Sequence, residues 1–169
     1  MNLYEQFVFD ELEKHNLAVF LPYKDRGVDC VVYRGDFAGR PQRIQIKGSR
    51  TYADGGGWYQ FTSKALSTSN GVTDFWMFVS TSVGPRGILR PQFLIVPTSE
   101  LASRLEKYAK LSGGKYNLYI AWNDPDHKGR VVDTRVSQGD PWPIPPGSLR
   151  DYTSYSNAWS TLVTAVGPD

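Results

Sequence analysis

The sequence predicts a mixed α/β fold, a central sheet flanked by helices. Three observations point to it. The 169 residues are 40% hydrophobic and 14% aromatic, enough for one domain with a buried core and too much for a disordered chain. The apolar residues fall in short strand-length runs separated by Gly- and Pro-bearing turns. The order reads helix, three strands, irregular segment, two strands, helix, strand, the alternation of a helix-flanked sheet.

Residues 2–16 read as a helix with mixed apolar faces. AVFLPY (18–23) reads as a strand, VDCVVYR (28–34) as a second and RIQIKGS (43–49) as a third. The turn GDFAGRP joins the last two as an antiparallel hairpin. TYADGGGWY is expected to be a loop around Gly55 to Gly57, and WYQFT (58–62) a short strand. SKALSTSNG suits one or two helical turns. DFWMFVSTS (74–82) and PQFLIVP (91–97) are strands joined through VGPRG. TSELASRLEKYAKL (98–111) is a helix opening on Thr98 or Ser99 as cap, its Glu100, Arg104, Glu106, Lys107 and Lys110 forming a solvated face. YNLYIAWN (116–123) is a further strand. A core of 1–123 then gives way to a polar, proline-rich extension, 124–169, within a single unit of 1–169. SYSNAWSTLVTAV (154–166) reads as a closing helix in that extension. Whether the extension packs on the core or mediates self-association is open at this level.

The apolar runs are too short to span a membrane, and the first residues carry acids where a signal peptide needs bases. A soluble, cytoplasmic protein is expected. The lone Cys30 rules out an internal disulfide framework and a multi-cysteine zinc site, and its Val and Asp neighbours suit a small buried hydrophobe. His15 and His127 lack metal-ligand spacing, and no Gly-x-Ser-x-Gly occurs. Asp124, Asp126 and His127 read as a surface turn, with calcium binding or catalysis as the alternative. Net charge is only +2, but from Lys24 to Arg50 seven basic residues face three acids. That suits a polyanion held near a metal, or merely a solvated hairpin rim.

Chemistry concentrates in the hairpin. Side chains at i and i+2 share a strand face about 6.5 Å apart. In RIQIK, Ile44 and Ile46 take the core side, and Arg43, Gln45 and Lys47 the other. A polar row of this kind also fits the wet face of an antiparallel sheet. Asp29 weighs against that alternative, because it sits in Val28-Asp29-Cys30-Val31-Val32, where a carboxylate needs a metal or an ammonium to offset its desolvation. On the first helix, at about 100° per residue, Val8, Phe9 and Leu12 lie within roughly 60° of Glu5. Glu5 then sits inside an apolar stripe. The alternative has Leu3 and Phe7 buried and Glu5 exposed.

Glu5, the GVD ending at Asp29, and IQIK with Gln45 and Lys47 together resemble the PD-(D/E)xK nuclease superfamily. They look most like the branch with glutamine at the second position, found in some intron-encoded homing endonucleases and transposon end-cleaving nucleases. The resemblance covers roughly residues 3 to 62; Val28 stands where the family usually has proline. It implies a restriction-endonuclease-like core and a metal-dependent DNA endonuclease using Mg²⁺, with Mn²⁺ as substitute. It implies that Asp29, Gln45, Glu5 and the backbone carbonyl of Ile46 hold the metal, and that Lys47 assists the attacking water. DNA is the implied partner, and cleavage of both strands implies a homodimer or a higher symmetric assembly. Lys24, Arg26, Arg43, Arg50 and Lys64 are candidate phosphate contacts, with ordinary surface charge as the alternative. Tyr52, Trp58 and Tyr59 are candidate stacking groups, with at least one expected in the core. Two rivals remain: a catalytically impaired nucleic-acid-binding module of the same fold, and a protein-interaction domain with a polar hairpin face.

Overall fold

A computed structural model describes residues 1–23, 27–52, 55–67, 72–122 and 124–167. Helix α1 (Leu3–Lys14) leads into β1 (Leu17–Phe20), β2 (Cys30–Arg34) and β3 (Gln42–Arg50). After β4 (Gly56–Thr62) and a 3-10 turn (Ser63–Leu66) come β5 (Phe75–Val83), β6 (Leu89–Pro97) and α2 (Thr98–Tyr108). Strand β7 (Lys115–Ala121), the short β8 (Val132–Asp133) and α3 (Trp159–Val166) complete the order. The protein is mixed α/β with a central mixed sheet between helices.

That sheet has the order β1-β2-β3-β5-β6, with β3 and β5 parallel and the other pairs antiparallel. On one face, Ile44, Ile46, Met77 and Phe93 pack under Val8 and Leu12 of α1 and Trp159, Leu162 and Val166 of α3. On the other, Trp76, Phe78, Leu94 and Val96 meet Leu101 and Leu105 of α2, together with Tyr59, Phe61, Leu118 and Ile120. The last four belong to a separate sheet, β4-β7-β8. β5 is buried from Phe75 to Ser80, as a strand covered on both faces must be. β4 alternates instead: Tyr59 and Phe61 are buried, Trp58 and Gln60 exposed. It therefore lies on top of the central sheet and not within it. Gly56 and Gly57 belong to this strand, where a loop was expected; Gly57 bridges to Thr51 and pairs with Ile120.

Two caps differ from expectation. The N-terminus of α1 carries a capping box: Asn2 Oδ1 accepts from the Tyr4 and Glu5 amides at 3.0 Å, and Glu5 reaches back to the Asn2 amide at 2.8 Å. Neither Thr98 nor Ser99 caps α2; Pro97 holds that position without a side-chain bond. The Thr98 amide instead donates to the Asp74 carbonyl at 2.9 Å, so the β5–β6 pairing runs into the first turn of the helix.

The extension packs on the core through α3 and through Tyr152 and Ile144, both buried. Arg104 of α2 is not on a solvated face; it donates to the carbonyls of Leu149 and Asp151 at 3.1 and 2.9 Å. His127, expected in a surface turn, is 1% exposed. Its Nε2 accepts from the Ile144 amide at 2.9 Å, so the ring proton sits on Nδ1 and is donated to Asp124 at 2.9 Å. Two bonds and an edge-on contact with Trp142 account for a core histidine.

Candidate active site

The site forms where β2 begins against the middle of β3. Gly27 lies just before it with φ +83°, a left-handed conformation that glycine adopts without strain, and the Thr73 hydroxyl donates to its carbonyl at 3.0 Å. The Asp29 amide donates to the Ile44 carbonyl at 2.9 Å although Cys30 is the register partner of Ile44, so Asp29 departs from the regular pairing where β2 begins. Asp29 lies just outside the paired residues and reaches β3 through its side chain, while Gln45 and Lys47 share the β3 face opposite Ile44 and Ile46.

Asp29 Oδ2 accepts from Gln45 Nε2 at 2.5 Å and from the Ile46 amide at 2.6 Å. Within a strand, the N–H and C=O of one residue point the same way, so the Ile46 carbonyl also faces the β2 edge beside Asp29. Gln45 is 8% exposed, and Lys47 is half-buried. Both line a cleft of about 300 Å³ with Gln60, Trp76 and Lys115. Among the described residues Lys47 has no ion-pair partner, so its charge faces the cleft.

Glu5 arrives from the opposite face. Val8 and Leu12 are buried and Leu3 is exposed, so the apolar stripe containing Glu5 is the one that packs. Glu5 and Asp29 border a second cleft of about 200 Å³, with Leu21 and Val28. Burial, with the Asp29 and Glu5 carboxylates nearby, pushes the Cys30 thiol up to about 12, so Cys30 is an inert core residue. Both Glu5 oxygens accept from Asn2, at 2.8 and 2.7 Å, which ties the carboxylate to its own helix terminus. Each oxygen keeps a further lone pair.

The donors around Asp29 are all oxygen-bearing: a carboxylate, an amide, a backbone carbonyl and, across the second cleft, Glu5. Hard divalent cations take such a set. Among the described residues no three His, Cys, Asp or Glu side chains converge. Gln45 turns its nitrogen to Asp29; rotation of the amide about its terminal bond exchanges nitrogen for oxygen.

The candidate phosphate contacts divide. Lys24 and Arg26 lie outside the described residues. Arg43 holds Asp74 with two bonds, Nε at 2.9 and a terminal nitrogen at 3.0 Å, while its amide donates to the same carboxylate at 2.8 Å. Lys64 lines a third cleft of about 240 Å³ with Gly27 and Thr73. Arg50 lies over the Tyr52 ring at 5.0 Å. Of the three aromatic candidates, Tyr59 is 2% exposed against Phe78 and belongs to the core, whereas Trp58 is 43% exposed. Three participants escape sequence reasoning: the Ile46 amide, Gln60 and Lys115. The last two reach the cleft through β4–β7 pairing, which leaves no local mark in the sequence.

No family model matches the chain, and no curated protein does. Among solved structures the chain is similar to Hjc, a Holliday junction resolvase from the archaeal hyperthermophile Archaeoglobus fulgidus, at 10% identity and a TM-score of 0.38, over 68% of this chain and 80% of that one.

Proposed function

We propose that the chain is a metal-dependent DNA endonuclease of restriction-endonuclease-like architecture, with its centre at Asp29, Gln45 and Lys47. One observation carries the reading: at the mouth of β2, the Asp29 carboxylate meets the Gln45 amide and the Ile46 backbone, and Gln45 lines the cleft that also holds Lys47.

Asp29, the Gln45 amide oxygen and the Ile46 carbonyl would hold Mg²⁺ or Mn²⁺, with Glu5 contributing directly or through water. Bound there, the ion supplies Lewis acidity and a more acidic water. The Lys47 ammonium orients the attacking water and neutralises charge gathering on the phosphoryl oxygens. The water oxygen forms the new P–O bond, and the departing sugar oxygen takes a proton as its bond to phosphorus breaks. Lys64 and Arg50 are the phosphate contacts on either side, since Arg43 is engaged by Asp74. Cleaving both strands of a duplex calls for two such centres, so a homodimer is the expected active species, measurable by light scattering.

Supercoiled plasmid incubated with the protein in Mg²⁺ or Mn²⁺ should be nicked, and EDTA should abolish the nicking. Lys47→Ala and Asp29→Asn should each lower the rate by at least about 100-fold while leaving the melting temperature near that of wild type. Cutting at the wild-type rate by either variant rejects the roles of Lys47 and Asp29. A second reading, a nuclease fold that binds nucleic acid without cutting it, is favoured by the amide at Gln45 and by the engagement of Glu5 with Asn2. It is the outcome if no metal supports nicking but salt-sensitive DNA binding persists.

A further inference from the structure

We infer that the substrate carries an unpaired strand, and that the outer face of β4–β7 is the surface on which that strand lies. The inference rests on the nuclease reading of the Asp29 centre. Trp58 and Tyr119 are directly paired across these strands, with near-parallel rings 6.1 Å apart and 20° between planes. Tyr52 continues the row, 6.2 Å from Tyr119, and the Arg50 guanidinium closes it over Tyr52. Of these rings Trp58 is the exposed one, and Tyr52 and Tyr119 are half-buried beside it.

The row leads to the candidate centre. Trp58 and Gln60 are successive outward residues of β4, about 6.5 Å apart along the strand. Asn117 Oδ1 accepts from both, at 3.1 Å each, which fixes the indole edge. Gln60 Oε1 in turn accepts from Lys115 Nζ at 3.3 Å, and both residues line the cleft that contains Gln45 and Lys47. A strand laid along this path would meet ring faces first and cations at both ends.

Chemistry chooses the occupant. Every base has a π-face, and stacking on aromatic side chains tolerates any sequence, but duplex bases are already stacked on one another. Arg50 at one end and Lys115 and Lys47 at the other match the phosphates of such a strand. An apolar protein partner would leave these cations unpaired at its boundary. Rings in file between cations thus favour unpaired polynucleotide over either duplex or protein.

The test compares three labelled probes at one fixed salt concentration in EDTA: a thymidine oligonucleotide, a forked duplex with a single-stranded arm, and a blunt duplex. Wild type should bind the first two more tightly than the third. Trp58→Leu and Tyr119→Leu keep apolar cover while removing the ring, and each should lower the single-strand preference, read as the ratio of Kd values, by about 5- to 100-fold. Trp58→Phe should retain most of it. No preference in wild type, or an equal loss on all probes, overturns the inference, as does a dimer that the Leu variants dissociate, which would assign the face to a second copy. Plasmid nicking separates the two proposals: nicking without single-strand preference removes this one alone, and preference without any nicking removes the nuclease reading alone.

Discussion

Asp29 Oδ2 collects two donors within 2.6 Å, and one of them is a side-chain amide that a family of carboxylate centres would replace with an acid. A glutamate at position 45 would put two anions in direct contact, where neither ionises easily without a cation. Gln45→Glu should therefore melt below wild type in EDTA, by about 1–3 kcal/mol of stability, and recover in millimolar Mg²⁺. Thermal melts with and without the ion measure this independently of activity. A metal-independent melting curve for the variant would mean that no cation is held between positions 29 and 45. Gly48, next to Lys47, is a different kind of residue. A Cβ there would lie only 2.1 Å from Cδ2 of the Tyr4 ring of α1. Gly48→Ala should cost about 1–3 kcal/mol in urea unfolding, and the added change Tyr4→Ala should return part of the loss.

At the scale of elements, the site depends on where β3 sits between β2 and β5. The Arg43–Asp74 pair sets the start of that pairing. Asp74 binds the guanidinium and amide of Arg43, and the Asp74 amide returns a bond to the Arg43 carbonyl at 2.8 Å. Burial alone would raise the Asp74 carboxyl; the Arg43 groups outweigh it and hold it below the ordinary carboxylate range. A depressed folded-state value means that this pair contributes stability above the unfolded carboxylate value of about 3.9 and loses it as pH falls toward the folded value. Urea midpoints of wild type should drop more steeply below about pH 4 than those of Asp74→Asn, which should already be less stable at pH 7. Parallel slopes for the two proteins would show that Asp74 does not titrate with folding.

On the scale of the whole molecule, the central sheet is covered by α1 and α3 on one face and by α2 with the second sheet on the other. Helix α3 comes from the proline-rich extension, yet Trp159, Leu162 and Val166 pack against Phe93, Ile44 and their neighbours. Deleting residues from Trp159 onward would open that face to water at roughly 25 cal/mol per Å² of apolar surface, more than a protein of marginal stability tolerates. The truncated chain should bind a hydrophobic dye and lose its cooperative melt. Among the described residues no helix is long and apolar enough to cross a membrane.

Period-two alternation is a local property, and it already puts Gln45 and Lys47 on one strand face, opposite Ile44 and Ile46. The Gly- and Pro-rich turn makes β2 and β3 a hairpin, which brings Asp29 to the edge of β3 beside Gln45 and Ile46. Helical periodicity chooses the buried side of α1 correctly, while the Asn2-x-x-Glu5 spacing of the capping box is legible too but is easily passed over beside the apolar stripe. What local patterns do not contain is the pairing of elements distant in the chain. The separation of β4 and β7 from the central sheet, the arrival of Gln60 and Lys115 beside Lys47, the row from Trp58 to Arg50, and the burial of His127 under Ile144 all come from contacts between segments far apart in sequence. Those contacts are selected by which surfaces exclude water together, and only the folded chain brings the surfaces face to face.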